Sequence, residues 1–311
     1  RPDLLAAPLP APPPTDVTLQ ELSRFFANPV KGFFTALDFT LPWEVEGVDD
    51  AMPVEIDNLQ EWTVGQRLLT DMLTGMDPER AGQAEWRRGS LPPGRLGWRK
   101  AGELRDQATE LARCALSYRT GTPEAHDIDV DLGGGRRLTG TVSPVFGSRL
   151  VEVTYSKLDA QHLLKAWIPL VALAAARPGS WSAVCIGRQR RRRGAAERVI
   201  GSPVGDPVAV LRDLVAIYDA GRREPIPLPV KTSYAWAAAR HARQDPRGEA
   251  WGKWRYERDD RAVERIWGRE PELDRLLTPV RPGEETEGET TRLGAFAMRL
   301  WSPLLAAEDA I

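Results

Sequence analysis

The chain has 311 residues, of which 42% are hydrophobic and 28% are charged, a balance typical of a soluble protein with one large domain or two small ones. Its 27 glycines and 26 prolines indicate many turns, but they fall short of a low-complexity composition and exclude global disorder. The formal net charge of −2 excludes an overall basic field that attracts nucleic acid, although it is compatible with a local basic patch.

Cysteine content and hydropathy indicate the cellular compartment in which we expect the protein. The two cysteines, Cys114 and Cys185, exclude a disulfide scaffold and favour a reducing compartment, so we expect a cytoplasmic protein. The longest apolar stretch, 166–176, is interrupted by Pro169 and too short for a membrane helix, so we expect no membrane partner. Residues 1–16 predict a proline-rich linker without the order of a signal peptide, which indicates a piece of a longer chain.

The first third of the sequence predicts helices. Thr18 and Glu21 have capping-box spacing ahead of apolar residues at helical intervals, which predicts a helix from residue 19. Asn28-Pro29 predicts the start of a second, short helix at an angle to the first. Apolar stripes predict two further helices, at about 59–76 and 102–117.

The middle of the sequence predicts a sheet. From Asp127, alternating apolar residues around a Gly-Gly-Gly turn predict a β-hairpin, and residues 150–155 predict a third strand. A helix at 157–176 and two strands at 182–188 and 198–200 complete an α/β order.

The remainder predicts helices and one flexible loop. The loop, at about 278–291, is rich in Gly, Glu and Thr. The predicted helices lie at 208–221, 236–242, 250–258, 260–267 and 293–305.

Common metal and phosphate motifs do not fit the sequence. Asp127, Asp129 and Asp131 resemble the start of a calcium loop, but leucines stand where that loop requires Gly and Glu, which favours carboxylates on the solvent face of a strand. The histidines and cysteines lack zinc spacing. The Gly-Gly-Gly segment does not open a helix, so it predicts a turn rather than a phosphate-binding loop.

One segment is a candidate for nucleic-acid binding. Five arginines in six positions repel one another unless an anion or solvent compensates their charge, and a place between two strands predicts a hairpin tip that reaches a phosphate backbone. The alternative is an exposed, arginine-rich turn without a ligand. The tryptophans at helical spacing favour core packing over base stacking. The candidate residues are Arg188, Arg190, Arg191, Arg192 and Arg193.

Four segments together resemble the C-terminal region of the RecC family, a subunit of the bacterial RecBCD enzyme (exodeoxyribonuclease V). GSLPPGRLG and the GQRLL helix are the more specific elements, and the resemblance runs from about residue 17 to 311, which we take as one domain. It implies an α/β fold with a PD-(D/E)XK nuclease-like core, a small central mixed sheet with flanking helices, and added helical segments. The segments are LQELSRFFANPVKGFF (19–34), PVEIDNLQEWTVGQRLL (53–69), GSLPPGRLG (89–97) and RLTGTV (137–142).

The resemblance also implies where a nuclease site has degenerated. Such an enzyme needs an Asp on one strand and an Asp or Glu two residues before a Lys on the next, because two carboxylates hold Mg²⁺ and the ammonium orients water. Here Ser143 stands in the place of the Asp, Glu152 retains an acid, and Thr154 replaces the Lys. One carboxylate cannot build that metal site, so we expect no catalytic residues and no metal.

The implied function is therefore non-catalytic. The resemblance implies a DNA-binding and scaffolding domain that supports duplex strand separation and subunit assembly in double-strand break repair by homologous recombination. Its partners are double-stranded or forked DNA and RecB-like and RecD-like subunits, which use ATP and Mg²⁺, whereas this domain needs no cofactor. Two alternatives stay open: an active Mg²⁺-dependent exonuclease that uses Glu152 with Asp159 or another displaced acid, and a structural docking module without DNA contact.

Overall fold

A mixed sheet organises the protein. The structure is a computed structural model, and it describes residues 4–5, 7–39, 57–190 and 194–310. The described residues contain six strands: β1 Val17–Thr18, β2 Pro123–Gly133, β3 Arg136–Phe146, β4 Arg149–Lys157, β5 Ser182–Arg188 and β6 Ala195–Ile200. Strand β2 pairs antiparallel along one edge of β3, while β1 and β4 pair with the other edge, and β5 and β6 follow beyond β4. The β1–β3 and β4–β5 pairs are parallel.

Helices cover both faces of the sheet. They are α1 Leu19–Ala27, α2 Pro29–Ala36, α3 Asn58–Leu73, α4 Pro78–Arg87, α5 Gly94–Leu116, α6 Ala160–Ala176, α7 Pro207–Arg223, α8 Val230–His241, α9 Pro246–Glu257, α10 Arg261–Trp267 and α11 Arg292–Asp309. The predicted mixed α/β class is confirmed, and the predicted elements occur in the expected order, while β1 and α4 were not predicted.

Local chemistry fixes the first two helices. The Thr18 hydroxyl accepts a hydrogen bond from the Glu21 backbone N–H at 3.1 Å, and the Glu21 carboxylate accepts one from the Thr18 N–H at 2.9 Å. The Asn28 side chain accepts from the backbone of Lys31 and caps α2, whose first residue is Pro29. Both predicted caps are confirmed, because these interactions join residues only three positions apart.

One helix was not predicted, and three others, α5, α8 and α9, begin earlier than predicted. Helix α4 was not predicted because it buries only Ala81 and Glu85, too few apolar residues to show a stripe. Helix α5 begins at Gly94 rather than near residue 102, since Gly94 and Gly97 weaken the helical signal of its first turns.

Strand alternation separates two hydrophobic clusters. On β4, Leu150 belongs to the cluster formed with α1, α2, α6, α7, α8 and α11, whereas Val151 and Tyr155 belong to the cluster formed with α3, α4 and α5. Successive side chains of a strand point to opposite faces, so each face is covered by its own set of helices. The larger cluster buries Trp167, Trp254 and Trp301, as the core-packing interpretation predicted, whereas Trp62 is 37% exposed.

The proline-rich segment contacts the rest of the protein. The Leu9 N–H donates a hydrogen bond to the Arg223 carbonyl at the end of α7, and the Leu9 carbonyl accepts one from the Arg223 side-chain Nε. The Thr15 carbonyl and the Asp16 carboxylate accept hydrogen bonds from Arg136 and from the backbone of Arg137. The boundary at residues 16 and 17 stays a prediction.

The predicted loop at 278–291 contains neither helix nor strand, apart from one bridge between Pro279 and Thr291. Two of its four acidic residues form ion pairs: Glu284 pairs with Arg292 at 2.5 Å and Glu289 with Arg240 at 2.8 Å. Among the described helices, none combines the length and the apolar character needed to cross a membrane.

Candidate nucleic-acid interface

An open groove lies where β3 and β4 separate. Strand β3 pairs with β1 only at Leu138 and Thr139 and with β4 only at Val145 and Phe146, so residues 140–144 have no strand neighbour on that edge. The space between these residues, α1 and α6 is a groove of about 610 Å³, which we call the junction groove. Its lining includes Ser23, Ser143, Pro144, Leu150, Glu152 and Lys165.

The junction groove contains two of the three positions that the family resemblance predicts to be degenerate nuclease positions. Ser143 on β3 and Glu152 on β4 both line it. Thr154, two residues after Glu152 and on the same face of β4, is buried and accepts a hydrogen bond from the Ser156 backbone N–H at 3.1 Å. Thr154 therefore serves the local backbone instead of presenting a functional group to the groove.

Glu152 is neutralised by a lysine from the facing helix. The Lys165 ammonium on α6 donates a short hydrogen bond to the Glu152 carboxylate. Glu152 is the one carboxylate among the described residues that line the junction groove. These residues do not fit a Mg²⁺ site, which requires several oxygen ligands, because the single acid is already paired with a cation.

The alternative acid, Asp159, lies in a different place. It caps the start of α6, and its carboxylate pairs with Arg190 at 2.9 Å and Lys231 at 3.3 Å. Asp159 does not line the junction groove. Within the described ranges, no three His, Cys, Asp or Glu side chains are grouped so that they could hold a metal ion.

Arg188 and Arg190 lie on a β-hairpin formed by β5 and β6. Strands β5 and β6 pair antiparallel from Ala183–Ile200 to Arg188–Ala195, and the Gln189 N–H donates to the Gly194 carbonyl at 3.0 Å. Arg190 lies at the tip of this hairpin and is half exposed. The other predicted tip residues, Arg191, Arg192 and Arg193, lie outside the described residues.

Arg188 is held at the base of the hairpin. Its guanidinium lies 4.5 Å from the centre of the Tyr155 ring and 3.6 Å from the Glu61 carboxylate. Burial raises the pKa of Tyr155 to about 12, so its neutral ring packs beneath the cation at neutral pH. Arg188 is therefore partly buried and anchors the base of the hairpin, and its role as a DNA contact stays a prediction.

A basic pocket of about 420 Å³ lies beside the hairpin. It lies between β5, β6, the start of α6, and helices α8 and α9, and Tyr234 also lines it. Five cations and two acids face it, a clear excess of positive charge. These charged lining residues, which define the basic pocket, are Asp159, Arg188, Arg190, Glu197, Arg198, Lys231 and Lys253.

Each acid of the basic pocket is already engaged. Asp159 is shared by two cations, and the Glu197 carboxylate accepts hydrogen bonds from the Cys114 thiol and the Tyr118 hydroxyl at 3.3 and 3.2 Å. Burial raises the pKa of the Cys114 thiol to about 11, so it stays protonated and donates. By contrast, the half-buried Lys253 forms no ion pair with a described residue.

Glu257 positions Lys253. Both lie on α9, one helical turn apart, and the Glu257 carboxylate caps α8 by accepting hydrogen bonds from the backbone N–H groups of Lys231 and Thr232 and from the Thr232 hydroxyl, all within 2.9 Å. This cap locks α9 against the first turn of α8. It brings Lys253 to the pocket that Lys231 also lines.

Arg198 forms the β6 wall of the basic pocket. Its guanidinium makes two hydrogen bonds with the Glu308 carboxylate, at 2.5 and 3.0 Å, and one with the Tyr234 hydroxyl at 3.3 Å. Burial raises the pKa of Glu308 above its ordinary value, although the bond to Arg198 opposes that shift. Arg198 is thus fixed in place, with most of its charge compensated.

Comparison with known proteins places the chain in a family. Residues 14–241, more than half of the chain, match the model of the RecC C-terminal domain. The chain belongs to the RecC family. It is 62% identical over 316 aligned residues to "RecBCD enzyme subunit RecC" of Mycolicibacterium smegmatis, an alignment that covers 99% of this chain and 29% of that protein.

Two further relatives carry the same name. The protein of Mycobacterium tuberculosis is 58% identical over 97% of this chain and 28% of its own length. That of Escherichia coli K12 is 26% identical over 52% of this chain and 14% of its own length. The chain therefore spans less than a third of the curated relatives it matches. The predicted family resemblance is confirmed.

Sequence reasoning missed half of the basic pocket. Arg198, Lys231 and Lys253 come from three separate elements, and none lies in a basic run. A usable signal exists for Lys253 and Glu257, since they share a helix face at a spacing of four residues. Nothing in the sequence says that this face meets the start of α8.

Proposed function

We propose that this chain is a non-catalytic, DNA-binding and scaffolding domain of a RecBCD-type helicase-nuclease. Its partners are forked or double-stranded DNA and RecB-like and RecD-like subunits, which supply ATP-driven motion and Mg²⁺-dependent chemistry. Its place is the cytoplasm, in double-strand break repair by homologous recombination. Membership of the RecC family and the printed names of the relatives, each a subunit of the RecBCD enzyme, support this proposal.

The core is proposed to be a degenerate PD-(D/E)XK nuclease fold. In support, Ser143 and Glu152 come from adjacent strands and line one groove, as the two acids of such a nuclease do. Lys165 pairs with the remaining acid, so the described residues that line the groove offer no free carboxylate to a metal ion. We therefore infer that the domain does not itself cut DNA by metal-assisted hydrolysis.

DNA binding is assigned to the basic pocket. A duplex is opened at a cost of about 1 to 2 kcal/mol per base-pair step, which the motor subunits supply, while a rigid, cationic element holds the separated strand. The observation that carries the assignment is that the half-buried Lys253, next to the β5–β6 hairpin, forms no ion pair with a described residue. We expect a DNA phosphate to supply the counter-charge, because lysines that bind nucleic acid neutralise backbone phosphates.

The test compares charge reversal in the basic pocket with charge reversal at an exposed control site. The double variant Arg190→Glu/Lys253→Glu is expected to weaken binding of forked DNA by about tenfold or more and to reduce the salt dependence, since each lost phosphate contact removes a slope of about 0.9. The matched control is Arg275→Glu, an exposed arginine without an ion pair among the described residues, which should leave binding unchanged. Fluorescence anisotropy at several salt concentrations measures both.

Two outcomes contradict the proposal. Unchanged affinity and slope in the double variant favour a docking module without DNA contact. Degradation of linear DNA by the purified chain with Mg²⁺ or Mn²⁺, abolished by Glu152→Ala, shows an active nuclease.

A further inference from the structure

The lobe formed by α3, α4 and α5 exposes large apolar side chains. Leu59 is 71% exposed, and Leu96 and Trp98 are each 58% exposed. Single exposed apolar residues are ordinary on a protein surface, whereas several around one concavity mark an interaction site.

These side chains surround a groove of about 790 Å³. Leu59 lines it directly, and Trp98 packs edge-to-face on the lining residue Trp86 at 5.2 Å. Leu96 lies one turn before Lys100, which pairs with Glu61 of α3 at 2.6 Å, so Leu96 is on the side of α5 that faces α3. We call this feature the apolar groove, lined by Leu59, Val64, Trp86, Leu91, Pro92 and Pro93.

The wall of the apolar groove is preformed by the GSLPPGRLG segment. A Cβ atom at Gly97 would lie 1.7 Å from the carbonyl oxygen of Pro92, so only glycine lets this proline segment rest against α5. Beneath the groove, the buried Glu85 carboxylate accepts hydrogen bonds from Arg67 at 2.8 and 2.7 Å and from Arg88 at 2.5 Å. A preformed groove avoids most of the ordering cost of binding.

The segment that contributes Trp86 and the proline wall to the apolar groove is cationic. Residues 78–100 contain six cations and two acids. Both acids are engaged, because Glu85 pairs with two arginines and Glu79 with Arg105 at 2.8 Å. Three exposed arginines of this segment form no ion pair with a described residue: Arg80, Arg87 and Arg95.

We propose that the apolar groove binds an acidic, amphipathic segment of a partner protein. Aliphatic side chains and two prolines supply most of the apolar lining, and phosphates offer no apolar group to cover them, so the groove fits a peptide better than a nucleic acid. The exposed arginines of residues 78–100 then attract acidic residues of that peptide. The inference rests on the assembly part of the proposed function and names the surface and the chemistry of its partner.

The experiment uses the full-length protein that carries this domain, co-expressed with its RecB-like and RecD-like subunits. A photoreactive benzophenone amino acid replaces Leu59, and mass spectrometry identifies the cross-linked segment. We expect a partner-subunit segment that contains large apolar side chains and more acidic than basic residues. In parallel, Leu59→Asp/Trp98→Asp is expected to weaken assembly by about tenfold or more.

Two controls separate the outcomes. Val204→Asp, at a site that is 61% exposed and outside the groove lining, should leave assembly unchanged. Arg87→Glu/Arg95→Glu should weaken assembly most strongly at low salt. Cross-links to DNA, to a second copy, to a basic segment or to nothing overturn the inference, as does unchanged assembly of the Leu59/Trp98 variant. If the unmodified protein itself does not assemble with these subunits, the proposed function fails instead.

Discussion

The junction groove and the basic pocket are both built on helix α6, but they differ in how their charges are balanced. In the junction groove one acid, Glu152, meets one cation, Lys165. In the basic pocket the acid at the start of the same helix, Asp159, is shared by Arg190 and Lys231, and Lys253 forms no ion pair with a described residue. The charges that line the junction groove therefore cancel, whereas the basic pocket has an excess of positive charge.

The largest effect is expected from Glu257, which holds the basic pocket together. Glu257→Ala leaves the N–H groups of Lys231 and Thr232 without their acceptor and should cost about 3 kcal/mol of unfolding free energy, measured by urea denaturation. It should also weaken DNA binding, because α9 no longer fixes Lys253. Glu257→Gln keeps an acceptor oxygen and is the conservative control. Equal stability of the alanine variant and the unmodified chain would contradict this role.

A smaller effect in the opposite direction is expected from Glu308. Glu308→Gln removes the charge that compensates Arg198 but keeps one acceptor oxygen, so the basic pocket gains positive charge. Affinity for forked DNA should rise by about threefold to tenfold at low salt. Glu287→Gln, an exposed residue outside the pocket lining, is the matched control. A weaker or unchanged affinity argues against a phosphate beside Arg198.

His162 makes the start of α6 sensitive to pH. Burial holds its pKa below the ordinary value of 6.5, and its Nδ1 accepts a hydrogen bond from the Asp159 N–H at 3.1 Å, which requires an unprotonated ring nitrogen. Below pH 6.5 the unfolded state therefore binds more protons than the folded state, so stability falls as pH drops from 6.5 through the folded pKa.

One substitution at His162 tests both the helix cap and the titration of the ring. His162→Gln supplies an uncharged acceptor at this capping position and should flatten the dependence of the urea midpoint on pH between 7 and 5. A slope equal to that of the unmodified chain would assign the pH dependence to other groups.

The smallest effect is expected in the junction groove. The Lys165 side chain is 66% exposed, so Lys165→Met should change the unfolding free energy by about 0.5 kcal/mol or less and leave DNA binding unaltered. Because one carboxylate does not make a magnesium site, Mg²⁺ should not raise the urea midpoint of this variant. A rise would show that the groove recruits further ligands.

Features that depend on residues close together in the sequence could be predicted, whereas features that depend on distant residues could not. The caps at Thr18 and Asn28 and the hairpin around the Gly-Gly-Gly turn were predictable, because their hydrogen bonds join neighbouring residues. The junction groove was predictable only in part: Ser143 and Glu152 were identified through the family pattern, but the Lys165 ion pair depends on how α6 packs on β4. Arg188 was predicted as a DNA contact, yet its burial against Tyr155 follows from a cluster assembled by distant elements.

The sequence by itself determined the α/β order of elements, the helix caps, the presence of one acid where a nuclease needs two, and the family. These depend on residue identity and on short-range spacing, which a linear string records. Only the tertiary structure decided that Lys165 neutralises Glu152, that Lys253 joins the arginine hairpin across three helices, and that Gly97 lets Pro92 form a groove wall. The physical reason is that charge balance and close approach depend on which surfaces pack together, and packing is decided by the whole chain.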